Sequence, residues 1–269
     1  MNQIHQTANK IAYFSVGTVT PIVFLHGLAL DHHSTAGFFE PFLKGLDYRR
    51  IYFDLPGMGE TAALTSATSD QILEAIMIAV REVVGNEKLI IYGHSFGGYL
   101  ARAIAAHFSN QILGMFLTCP VITADHTKRK VGKHINIVQE RITPAANQEY
   151  WDDFLDMNVV INQASWQAYQ RLIIPGLQNA DLSFIAQLEA TNYQLSCDSK
   201  LREIQLSFPL EMLVGKNDHV VGYQEQSELV SHTPLARVLL LNQAGHNLMI
   251  DQPAAVRVQF KQFLGGLTP

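Results

Sequence analysis

Lys88-Leu89-Ile90-Ile91-Tyr92-Gly93-His94-Ser95-Phe96-Gly97-Gly98 decides the fold. Lys88 to Tyr92 reads as a buried strand. Ser95 to Phe108, rich in alanine, reads as a helix. Between them Gly93 and Gly97 flank Ser95 in a Gly-x-Ser-x-Gly pattern. A strand that runs directly into a helix must turn sharply, and Ser95 is forced into a strained backbone conformation there. Side chains two residues to either side would collide, so both places call for glycine. Gly98 leaves further room for the helix to approach the sheet. The pattern alone is weak, because two glycines flank many serines by chance. The strand before it and the helix after it give it weight. The bland alternative is a serine that caps a helix after a glycine turn.

The flanking sequence repeats the same alternation. Ile11–Phe14, Pro21–Leu25, Arg50–Phe53 and Ile112–Thr118 read as strands, and Asp70–Val84 as a helix capped by Ser69 or Asp70 and ended by Gly85. From Val121 to Ser207 the alternation lapses into helical, aromatic sequence with no convincing strand. It resumes with strands at Pro209–Val214 and Arg237–Leu241 and helices over Glu225–Ser231 and Gln252–Leu264, with Pro253 near the first turn of the last. Strands alternating with helices imply right-handed crossovers and a mostly parallel sheet with helices on both faces. The expected architecture is an α/β core of residues 1–120 and 208–269, with residues 121–207 inserted as a helical cap.

At 269 residues with 48% apolar side chains, a sizeable core can be buried. A formal net charge of −5 gives no footprint for nucleic acid or an anionic membrane. Lys128, Arg129, Lys130 and nearby Lys133 form the one basic cluster, which reads as a solvated face. Cys119 reads as core, and nothing demands a disulfide with Cys197. The polar start, Met1 to Lys10, has no apolar signal region, and no apolar stretch approaches the ~18 residues of a membrane span. A cytoplasmic protein is expected, with no nucleic-acid or membrane partner; the oligomeric state is open.

The chain resembles the α/β-hydrolase family over nearly its whole length. The resemblance rests on Phe24-Leu25-His26-Gly27, Asp54-Leu55-Pro56-Gly57-Met58-Gly59, Gly93-His94-Ser95-Phe96-Gly97-Gly98, Gly215-Lys216-Asn217-Asp218 and Gly245-His246-Asn247. It implies a Ser-Asp-His triad in that chain order, with Ser95 as nucleophile.

A serine hydroxyl needs a base to take its proton, and the base needs a carboxylate to hold its tautomer. Eleven histidines compete. His246 is favoured because its loop follows the strand Arg237–Leu241, at the sheet edge that carries Ser95. His94 adjoins the nucleophile and would point elsewhere. Asp218 follows the strand Pro209–Val214 and occupies the family's usual acid position; Asp125 is the runner-up. The resemblance also implies an oxyanion hole from the backbone N–H groups of Leu28 and Phe96, with His26 shaping that loop.

Asp31-His32-His33 invites a metal reading, but no standard ligand spacing follows, so a polar loop at the pocket rim is expected and no metal or cofactor. The aromatics of the insertion are packing first. In the family this segment covers the nucleophile, and Trp151 and Trp166 are the candidates to line the pocket with His26. No charged residue stands out as a substrate anchor, which points to a small, largely uncharged ester or related acyl substrate. Carbon–carbon bond hydrolases of ring-fission products and aminopeptidases use the same triad. The former usually carry Gly-Pro-Gly after His-Gly, where this chain has Leu28-Ala29-Leu30-Asp31. The latter usually have Trp where Phe96 stands. A non-catalytic small-molecule receptor on this fold is the alternative of another class.

Overall fold

The computed structural model describes residues 3–202 and 206–267. Its strands in chain order are β1 (Ile4–Gln6), β2 (Ala12–Val16), β3 (Thr20–Leu25), β4 (Tyr48–Phe53), β5 (Leu89–His94), β6 (Ile112–Thr118), β7 (Ile137–Val138), β8 (Val160–Ile161), β9 (Leu210–Gly215) and β10 (Ala236–Leu241). Eight of them form one sheet in the order β1-β2-β4-β3-β5-β6-β9-β10. The pairs β1–β2 and β2–β4 are antiparallel, and the others are parallel. The central strands β5 and β9 are buried at every residue, and β3 and β6 at all but one each, as a sheet covered on both faces requires. The expected α/β fold with a mostly parallel sheet is therefore the one observed.

The helices are α1 (His32–Leu43), α2 (Ser69–Val84), α3 (Phe96–His107), α4 (Trp151–Met157), α5 (Gln163–Leu172), α6 (Ile174–Asn179), α7 (Leu182–Ala190), α8 (Asp198–Leu201), α9 (Gln224–Ser231), α10 (Leu248–Asp251) and α11 (Pro253–Gly266). Gly85 ends α2 at φ +65°, as read from the sequence, but the cap at its start is Thr68, whose Oγ1 accepts from Gln71 N–H.

The structure departs from the sequence reading at three places. β1 lies in the polar start; it is a three-residue edge strand with no buried residue, so it carries no apolar signature. β7 and β8 form a two-residue parallel pair inside the helical segment, too short to leave a pattern. Asp31-His32-His33 opens a helix rather than a loop. Asp31 caps α1 by accepting the His33 N–H at 2.9 Å, and Asp54 accepts the His32 N–H at 2.7 Å and its Nδ1 at 3.0 Å.

Parallel strands put their carboxyl ends along one edge. β3 delivers His26 to Leu28 there, β5 delivers Ser95, β9 delivers Asp218, and β10 leads to His246. Among the described residues no helix is long and apolar enough to cross a membrane.

Candidate active site

Ser95 sits between β5 and α3 at φ +52° and ψ −117°, a conformation L-residues rarely adopt. Hydrogen bonds over-determine it. Its N–H donates to Thr118 O at 3.1 Å, and its carbonyl accepts from Tyr99 and Val121 N–H. The flanking glycines are steric necessities. A Cβ on Gly93 would lie 2.6 Å from Gly97 O, and one on Gly97 would lie 2.3 Å from His26 O and 2.4 Å from Leu25 O.

Ser95 Oγ lies 2.8 Å from His246 Nε2, and His246 Nδ1 lies 2.9 Å from Asp218 Oδ2. The other Asp218 oxygen accepts from Val220 and Val221 N–H at 2.8 and 2.9 Å. Burial alone would raise the Asp218 carboxyl, but the His246 charge and these N–H groups outweigh it and hold it below the usual carboxylate range. An anionic Asp218 can hold Nδ1–H of His246, an arrangement that leaves Nε2 free to accept a proton from Ser95 Oγ. Asp125 is committed elsewhere: it accepts from Thr127 N–H and pairs with Lys128.

His94 does not point away. Its ring packs against that of His246 at 5.1 Å and lines the cavity, while Nδ1 meets Thr118 O and Oγ1 at 3.1 Å. Burial, reinforced by His246, pushes His94 down to about 3, so it stays neutral beside the base. Burial also lowers His26. Its Nδ1–H donates to Gly27 O at 2.7 Å and its Nε2 accepts from Leu55 N–H at 3.0 Å. It braces the Gly27–Leu28 turn from below and does not line the cavity. Neither Leu28 N–H nor Phe96 N–H has a protein acceptor among the described residues, and both residues line the cavity beside Ser95. Two such donors can hold an oxyanion.

A cavity of about 470 Å³ opens over Ser95. Residues 121–207 supply about half of its wall, including Met157, Ile173, Leu177 and Tyr193. A sequence model of the alpha/beta hydrolase fold matches residues 20–253. The chain belongs to the α/β-hydrolase fold family. It is similar to an alpha/beta superfamily hydrolase from Oenococcus oeni PSU-1, with 54% identity over 98% of each chain and a TM-score of 0.95. It is also similar to the esterase RhEst1 from Rhodococcus sp. ECU1013, with 20% identity over 99% of each chain and a TM-score of 0.75, a likeness that speaks for the fold alone. Among curated relatives, the 2-succinyl-6-hydroxy-2,4-cyclohexadiene-1-carboxylate synthase of Salmonella typhimurium is 26% identical over 250 residues, 90% of this chain and 93% of the relative.

Two pocket candidates lie elsewhere in this α/β hydrolase. Trp166 is buried and Trp151 half-buried, and they pack on each other, Phe154 and Tyr169, outside the cavity. Aromatic density at helical spacing marks packing, and the packing takes all of it. Conversely, four charged or ionisable side chains of residues 121–207 reach the wall: His126, Arg129, Asp153 and Glu189. Arg129 turns inward from the basic run, where its guanidinium donates to Thr123 O, Ala124 O, Val220 O and the Tyr193 hydroxyl. A run of four cations does not reveal which one the chain turns inward.

Cys119 is buried, as expected of core, and its Sγ lies 3.6 Å from Gly245 O. Burial raises its thiol, so it stays protonated beside Asp218.

Proposed function

We propose that the protein is a serine hydrolase of small, largely uncharged carboxylic esters. The observation that carries this reading is the unbroken chain from Ser95 Oγ to His246 Nε2 at 2.8 Å and from His246 Nδ1 to Asp218 at 2.9 Å. His246 takes the Ser95 proton as Oγ attacks the ester carbonyl carbon. The carbonyl oxygen becomes an oxyanion held by Leu28 and Phe96 N–H. The tetrahedral centre collapses, the alkoxide leaves with the proton from His246, and an acyl-Ser95 ester remains. Water, deprotonated by His246, releases the acid and restores Ser95. Asp218 keeps the imidazolium oriented and stabilised throughout. Residues 121–207 act as the cap, walling the acyl site and excluding bulk water.

Labelling with a fluorophosphonate tests this. Stoichiometric modification of Ser95, lost in Ser95→Ala, is expected; a folded wild-type protein that stays unlabelled refutes it.

One observation favours a second reading. Arg129 stands in the cavity wall among neutral acceptors, with no carboxylate partner among the described residues. A substrate that carries a carboxylate, as the product named for the Salmonella relative does, would find a cation there. A lower KM for a p-nitrophenyl hemisuccinate than for p-nitrophenyl butyrate, abolished by Arg129→Met, would favour it over a neutral ester.

A further inference from the structure

Asp251 ends α10 five residues after His246 and takes no part in the proton route above. It is buried, and no cationic side chain pairs with it among the described residues. It binds backbone from two directions. One oxygen, Oδ2, accepts from Gly245 N–H at 2.8 Å, the residue before His246. The other, Oδ1, accepts from Val159 and Val160 N–H at 3.0 and 2.9 Å, at the start of β8 in the insertion, and Val159 N–H also reaches Oδ2 at 3.2 Å. The residue after His246 is tied to the same place: Asn247 Nδ2 donates to Asn158 Oδ1 at 3.0 Å. Both neighbours of His246 are therefore fastened to residues 158–160. Met157, one residue earlier, lines the cavity over Ser95.

A buried carboxylate without a cation is expensive, and burial pushes Asp251 up to about 6 against the pull of the N–H groups. Hydrophobic packing would join these segments with less penalty. What a carboxylate adds is two acceptors of fixed geometry that bind two separate segments at once. We propose that Asp251 is a positioning residue that fastens the His246 turn to residues 158–160 of the insertion, so that the cavity wall and the base move as one body. An insertion edge that swings outward then draws His246 from Ser95, and hydrolysis is confined to the closed form. This rests on His246 being the general base.

Asp251→Asn tests it. The amide offers one acceptor oxygen to N–H groups on two sides, and the two from the insertion outnumber the one from Gly245. Turnover of p-nitrophenyl acetate per site, counted by fluorophosphonate titration, is expected to fall about tenfold or more with KM held within about threefold. A purely structural Asp251 would lower Tm but leave turnover per titrated site at the wild-type value, and that result overturns the proposal. Failure of wild-type Ser95 to titrate refutes the hydrolase reading instead, so the two failures are distinct. Should the variant not fold, amide exchange in the wild-type protein decides. The Gly245, Val159 and Val160 amides are expected to share one opening rate. Gly245 staying protected while Val159 and Val160 exchange about 100-fold faster overturns the proposal.

Discussion

Ser95 Oγ and His246 Nε2 lie 2.8 Å apart although 151 residues separate them in the chain. They meet because β5 and β10 run parallel in one sheet and present their carboxyl ends on the same side. The contact is short enough for proton transfer without rearrangement. Its orientation depends on Asp218, whose two oxygens are divided between His246 and the N–H groups of Val220 and Val221.

Asp218→Asn is expected to lower kcat for p-nitrophenyl acetate by roughly 10³ to 10⁴ while the fold survives. The amide can present an N–H to His246 Nδ1, which selects the tautomer that cannot accept from Ser95. Steady-state kinetics with circular dichroism as the control of folding checks this. Loss of less than about tenfold would remove Asp218 from the role.

Gly97→Ala should be destabilised by more than ~3 kcal/mol, because the new methyl carbon meets two backbone carbonyls at 2.3 and 2.4 Å and neither can yield. Urea unfolding measures it. A soluble variant within ~1 kcal/mol of wild type would contradict the turn geometry.

Trp166→Ala should cost about 3–5 kcal/mol through the vacancy left against Phe154 and Tyr169. Because Trp166 stands outside the cavity, KM for short esters should stay within about threefold of wild type where the variant is folded. A selective KM increase at intact stability would return Trp166 to the pocket.

Asp251 makes a prediction about pH and stability. Its folded carboxyl takes up a proton near pH 6, well above the unfolded value, so between the two the folded chain binds more protons. The stability it confers is full below the unfolded value and lost as pH rises through about 6. The wild-type stability relative to Asp251→Asn should therefore decline from pH 4 to pH 7, by at most about 3 kcal/mol. Thermal or urea unfolding of both proteins across that range reads it; a difference that rises with pH reverses the sign and refutes the raised carboxyl.

Much of the molecule is legible in its sequence. The apolar run Ile112–Thr118 coincides with β6, and β5 followed by Ser95 marks the strand–turn–helix unit, because local apolar runs and glycines carry that information. Where the signal is not local the reading failed. β1 is exposed and three residues long, so only its pairing with β2 makes it a strand. The cap of α2 fell on Thr68 rather than on Ser69 or Asp70, since the backbone angle that frees a side chain to cap is set by the approach of the loop.

The site divides in the same way. Sequence by itself determined that Ser95 stands on a strained elbow, and that His246 and Asp218 follow strands, because strand ends and turn chemistry are written along the chain; the resemblance to the family pointed to Asp218 as the acid. Which side chains face the cavity was decided by tertiary structure alone. Trp151 is taken up by packing against Phe154 and Trp166, and Trp166 by packing against Phe154 and Tyr169, while Arg129 is turned inward by carbonyls of Thr123, Ala124 and Val220. The direction of a side chain on an irregular segment depends on which distant backbone groups come within reach of it, and that reach exists only after the chain has folded.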